Sequence, residues 1–202
     1  MDMKVSFLRE SLAREQEHEP LFSYPRLAVQ DARSLQPPPK ESAVVMLITP
    51  TAEGISTVLV KRANRGDVHG GQLAFPGGKL EAGETHLEAA LREMEEEVGL
   101  QANQIELLGQ LSPVYIPPSH FVVQPIVAWL PALHNWRIQP NEIDEVLIAP
   151  LNQFQYHLRE HRSVLRHDGS KFDVIGFPVG SHFLWGATAM MVHEFVQKTF
   201  NE

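Results

Sequence analysis

Residues 75–100, FPGGKLEAGETHLEAALREMEEEVGL, join a glycine-rich turn to a segment with helical periodicity and a dense run of carboxylates. Leu87, Ala90, Leu91 and Met94 recur at intervals of three and four, which predicts the buried face of a helix. On that helix Glu93, Glu96 and Glu97 share a side, where each exposed like-charged pair costs roughly 0.2–0.5 kcal/mol, and more if buried. A hard divalent cation answers this repulsion best. Magnesium or manganese takes a few carboxylates, keeps several waters and leaves room for substrate phosphates. Gly77 and Gly78 let a ligand approach the main chain, and Glu84 stands near the helix start, where a carboxylate suits the dipole. A loop that can approach phosphate, followed by a helix that can hold metal, points to phosphate chemistry.

Around this stretch the chain reads as a mixed sheet with helices packed on it, an α+β or α/β/α layered domain. AVVMLIT (43–49) and STVLVKR (56–62) predict two strands of a hairpin; IELLGQLS, FVVQPIVAWL and EVLIAP predict three more. SVLRHDG and FDVIGFP predict a second hairpin, and ATAMMVHEFVQKTF a closing helix with Met190, Met191, Phe195 and Val196 in the core. Val5, Leu8 and Leu12 predict a short amphipathic helix near the start, and Pro37, Pro38 and Pro39 a stiff extended connector. The expected division is therefore residues 1–40, helix and connector, then a domain over 41–202. The segment 115–121, with Pro117 and Pro118, reads as a loop between strands.

The chain has 202 residues, suited to one ordinary domain, and its formal charge of -8 argues against nucleic-acid binding, which draws on clustered Lys and Arg. It has no cysteine, which excludes disulfides, thiolate catalysis and cysteine-held metals. The charged first twenty residues offer no apolar run for a signal peptide, and no stretch approaches the roughly 20 apolar residues of a membrane span. The expectation is a soluble, cytoplasmic protein with no membrane partner.

Gly78, Glu84, Arg92, Glu93, Met94, Glu96, Glu97, Gly99 and Leu100 fall at the defined positions of a pattern 23 residues long, and together they resemble the Nudix box. The resemblance implies a Nudix fold, an α/β/α sandwich with a mixed β-sheet, and metal-dependent hydrolysis of a diphosphate linked to another moiety. It implies Glu93, Glu96 and Glu97 as metal ligands or water-activating base, without dividing those roles, and Arg92 as the residue that orients them. Glu84 would support the loop and helix. The physics agrees: a metal neutralises charge on phosphoryl oxygens and lowers the pKa of an attacking water. A carboxylate from a later segment is also expected at the metals, Glu145 rather than Glu142.

Upstream, VLVKRANRGDVHGGQLAFPGG resembles the additional signature of coenzyme A pyrophosphatases through Arg62, Ala63, Gly71, Phe75, Pro76, Gly77 and Gly78. Asp67 occupies the place of that pattern's second arginine, and Arg65 lies two positions earlier. FLWGATAMMVHEF resembles the same branch. The implied substrate is coenzyme A or an acyl derivative, cleaved to 4'-phosphopantetheine and adenosine 3',5'-bisphosphate. Lys61, Arg62 and Arg65 are the expected cations for its phosphates, and Phe75, Gly77 and Gly78 complete the expected substrate contacts. A homodimer is implied by resemblance alone. Two other readings stay open: hydrolysis of ADP-ribose, nucleotide sugars or dinucleotides, and a non-catalytic ligand-sensing module.

Overall fold

Strand alternation builds two apolar layers on either side of one sheet. In the segment 43–48, Ala43, Val45 and Leu47 face one way and Met46 and Ile48 the other, each set fully buried. The structure, a computed structural model, describes residues 3–14, 21, 27–64, 66, 69–165, 169 and 171–200. In chain order the helices are α1 (Met3–Ala13), α2 (Val29–Arg33), α3 (His86–Val98) and α4 (Gly186–Phe200). The strands are β1 (Lys40–Thr51), β2 (Gly54–Arg62), β3 (Leu73–Ala74), β4 (Gly77–Lys79), β5 (Glu106–Gln110), β6 (Val114–Ile116), β7 (Phe121–Trp129), β8 (Ile143–Pro150), β9 (Glu160–Leu165), β10 (Lys171–Val179) and β11 (His182–Trp185).

The main sheet runs β3-β2-β1-β7-β5, with β4 on β1, β6 on β7 and β8 on β2. β1 pairs with β7 in parallel and every other pairing is antiparallel, so the sheet is mixed as expected. On one face, Ala90, Met94 and Val98 of α3 pack on Val45, Leu47, Val58 and Val60. On the other, α1 and α4 meet Met46, Ile48 and Leu59 in a larger cluster. That cluster also receives Phe177, Val179 and Leu184 from the small β9-β10-β11 sheet. Val5, Leu8 and Leu12 of α1 lie in it, so the leading helix packs into the core of the layered domain. Among the described residues, no helix is long and apolar enough to cross a membrane.

Two local expectations change. The proline-rich connector contains α2, whose Arg33 makes a two-pronged contact with Glu41 at 2.8 and 3.1 Å; the prolines stiffen only the residues after it. The segment 115–121 is also more ordered in pattern than its prolines suggested. Val114 and Tyr115 pair with Val123 and Val122, and only residues 117–120 turn. A polar clamp completes that turn: His120 is bonded to the Tyr115 hydroxyl at 3.0 Å and, through its other ring nitrogen, to the Pro37 carbonyl at 2.9 Å.

Candidate active site

The helix that carries the carboxylates is set by its own ends. Thr85 and Glu88 form a reciprocal capping box that starts α3, and the chain turns left-handed at Gly99 to stop it. Arg92 then gathers the acids around it. Its guanidinium donates to both oxygens of Glu84 at 2.7 and 3.0 Å, to Glu93 at 2.9 Å and to the Lys79 carbonyl at 3.2 Å, with Glu96 at 3.5 Å. The Arg92 contact, with a further hydrogen bond from the Glu81 amide, holds the Glu84 carboxyl down at about 2. The arginine thereby ties the loop 79–84 to the helix.

Glycines let the main chain reach these acids. Gly77 has φ of +150°, and a methyl group there would collide with the Ala43 carbonyl of β1. A methyl at Gly78 would overlap the Glu93 carboxyl group. The close approach has a direct product: the Gly77 amide donates to Glu97 Oε2 at 2.9 Å.

Glu97 is 1% exposed, so the helix buries one of its carboxylates along with its apolar side. Burial raises its pKa to about 7, as do Glu93 and Glu142 nearby, while the Gly77 amide and the Arg62 guanidinium oppose the rise. Arg62 Nη1 stands 3.6 Å from Glu97 Oε1.

Carboxylate oxygens of Glu93, Glu97 and Glu142 all lie within 4.8 Å of one another. Oxygen donors in such a group fit a hard divalent cation. An open hollow of about 470 Å³ adjoins them, lined by Lys79, Leu80, Glu81, Ala82, Arg92 and Glu93.

Glu142 comes from 45 residues beyond Glu97, and the last turn of α3 positions it. Amides of Arg137 and Gln139 donate to the carbonyls of Val98 and Glu97 at 3.1 and 2.9 Å, using acceptors that a helix end leaves free. Glu142 and Ile143 then bond back to Gln139, and the Glu142 carbonyl accepts from the Ala63 amide at 2.7 Å, fixing the loop to the end of β2.

The structure separates several other expected site residues from this group. Glu145 lies opposite Lys61 on the far face of the sheet, in line with Leu147 and Ala149 of the larger cluster, and its carboxylate meets His182 at 3.2 Å. Lys61 is on the same far face and pairs with Asp144 at 3.7 Å. Phe75, expected at the substrate, is 2% exposed and packs in the core, because a large apolar ring next to β4 gains more from burial than from a polar cleft. Glu96 is 60% exposed and leans on Arg92, outside the group formed by Glu93, Glu97 and Glu142. Arg65, like Asp67, falls outside the described residues. Glu142 was legible as an alternative only; no spacing rule reaches across 45 residues.

Most of the chain is similar to known proteins. The NUDIX domain model matches residues 39–167. A protein named uncharacterized Nudix hydrolase NudL, from Photorhabdus laumondii, is 30% identical over 171 residues, covering 81% of this chain and 91% of that protein. Nudix hydrolase 3 of Caenorhabditis elegans is 30% identical over 192 residues, covering 87% of this chain and 78% of that one. Among solved structures, a Nudix hydrolase from M. smegmatis, RenU, aligns with a TM-score of 0.49 and 24% identity, over 56% of this chain and 72% of that one. With the box intact and its acids gathered beside a glycine loop, the chain belongs to the Nudix hydrolase family.

Proposed function

We propose that this Nudix hydrolase cleaves the central diphosphate of coenzyme A or an acyl derivative, giving 4'-phosphopantetheine and adenosine 3',5'-bisphosphate. The observation that carries the reading is Arg62. This residue of the coenzyme A pyrophosphatase-like signature stands at the buried acid Glu97, where a diphosphate would meet the carboxylate group. Gly71, Pro76, Gly77 and Gly78 of the same signature shape the loop between them, and the Gly71 amide bonds the Arg62 carbonyl at 2.9 Å.

Glu93, Glu97 and Glu142 are the side chains that would hold magnesium or manganese, with Glu96 at the solvent rim. The bound metal supplies charge neutralisation at the phosphoryl oxygens and a more acidic water. Arg92 keeps Glu93 aimed inward, and Gly77 fixes the orientation of Glu97 through its amide. Arg62 supplies a guanidinium for a phosphoryl oxygen, to which it can donate two bonds. Lys61 and Glu145 have no part in this reading. A homodimer is part of the proposal by family likeness only.

The test is a substrate panel with magnesium and with manganese, reading product masses. Coenzyme A should be turned over best, and dephospho-coenzyme A less well if a cation reads the 3'-phosphate. Equal turnover of ADP-ribose or dinucleotides would sink the substrate assignment while leaving the hydrolase intact.

A further inference from the structure

Glu97 Oε2 is engaged by the Gly77 amide, and Oε1 is the oxygen that faces the Arg62 guanidinium at 3.6 Å. The carboxylate group that Glu97 shares with Glu93 and Glu142 therefore already has a cation beside it, supplied by the chain. Arg92 touches the same group through Glu93, but not Glu97. It is committed to Glu84, Glu93 and Glu96 and to the Lys79 carbonyl. The Arg62 main chain is held on both sides, its amide on the Gln72 carbonyl at 3.0 Å and its carbonyl on the Gly71 amide, at the point where β2 and β8 shift register. Only the side chain is left to move, and it is about one-third exposed.

We propose that Arg62 is the stand-in cation of this site: its guanidinium and the divalent metal compete for Glu97, so that metal entry releases Arg62 toward the substrate diphosphate. The inference rests on the metal-dependent reading given above and adds an order of events to it. Two positive groups crowded on one largely buried carboxylate repel each other, because the low local dielectric strengthens like-charge terms as well as favourable ones. A guanidinium displaced from a carboxylate is also suited to its next partner, since the same planar fork fits a phosphate. Substrate that arrives before metal would then find Arg62 engaged, and binding of the two becomes coupled with no further moving part.

Metal-stripped full-length protein titrated with manganese alone, by calorimetry at pH 8.5, tests the exchange. The high pH keeps a proton from replacing the guanidinium on Glu97. Arg62→Gln and Arg62→Ala should bind manganese about tenfold more tightly than the parent chain. Arg62→Lys should lie near the parent. Lys61→Ala, which removes the same charge on the other face of the sheet, should change affinity by less than about twofold. Unchanged or weaker manganese binding in folded Arg62→Gln, with folding checked by thermal melting, would overturn the exchange. If Arg62→Ala does not fold, Arg62→Gln still decides the point.

The release step has its own readout. In Arg62→Gln the KM for coenzyme A should rise about tenfold or more, with a smaller fall in kcat. An unchanged KM would overturn release toward substrate. Manganese binding without coenzyme A cleavage would defeat only the substrate assignment. No manganese binding by the parent chain would defeat the metal reading and the exchange together.

Discussion

Lys61 and Arg62 are adjacent in the chain, yet they serve opposite faces of the sheet. Arg62 follows Val58 and Val60 toward α3 and ends at Glu97; Lys61 follows Leu59 to the other side and ends at Asp144. Glu142 and Glu145 show the same split three residues apart. The loop before β8 carries Glu142 to Glu93 and Glu97, while the strand itself turns Glu145 to His182. Charge and proximity in sequence are equal on the two faces. What differs is the neighbour across the sheet: a helix with the buried acid Glu97 on one side, an apolar layer with partly exposed polar contacts at its edge on the other.

The sharpest way to break this comparison is at the buried acid. Glu97→Gln should lower turnover about a hundredfold or more while the protein stays folded, because a metal-site group is lost. A folded, fully active Glu97→Gln would refute the assignment of the α3 face.

The same side chain predicts a dependence of stability on pH. Its folded pKa of about 7 lies above the ordinary 4.5, so ionisation opposes folding. The stabilisation is whole below pH 4.5 and is lost as pH rises to about 7, on the order of 3 kcal/mol in all. Urea unfolding of metal-stripped protein at pH 4.5 and pH 8 should show that loss, and Glu97→Gln should flatten it. Glu84 runs the other way. Its lowered pKa favours folding above 4.5, and that contribution fades as pH falls toward about 2.

Gly78→Ala comes next in size. The added methyl overlaps the Glu93 carboxyl, so we expect a stability loss of about 1–3 kcal/mol in thermal or urea melts and a displaced Glu93. Glu142→Gln should then cost about tenfold or more in kcat, whereas Glu145→Gln should stay within about twofold, since its carboxylate is half exposed and meets only His182, away from the acid group. Equal losses from both would erase the distinction between faces. Lys61→Ala is the smallest expected effect, under about twofold in kcat/KM for coenzyme A.

Most of the fold was legible because its signals are local. The hairpin of β1 and β2, the helix α3, the β9-β10 hairpin and the closing helix all follow from apolar periodicity over a few residues. β3 and β4 were not legible. They are two and three residues long and lie among glycine and proline, so only pairing with β2 and β1 makes them strands. Likewise Pro117 and Pro118 masked β6, which exists through its ladder to β7.

The site divides in the same way. Spacing put Glu93 and Glu97 on one side of a helix, and Arg92 was implied by the resemblance to the Nudix box; one helix carries all three. Spacing also placed Glu96 with them; its carboxylate stands at the solvent rim, 3.5 Å from Arg92. The partners from other elements required the tertiary structure. Period-two alternation says that Lys61 and Arg62 point oppositely, but which of them meets α3 depends on how the sheet packs. Choosing Glu142 over Glu145 depends on a loop bonded to the end of α3 and on the register shift that aligns Arg62 with Ile143. By itself the sequence determined the family, the reaction class and the acids of one helix, since those are encoded within a continuous stretch. Only packing decided which further carboxylate and which cation join them, because a strand residue's role is set by the layer its face meets.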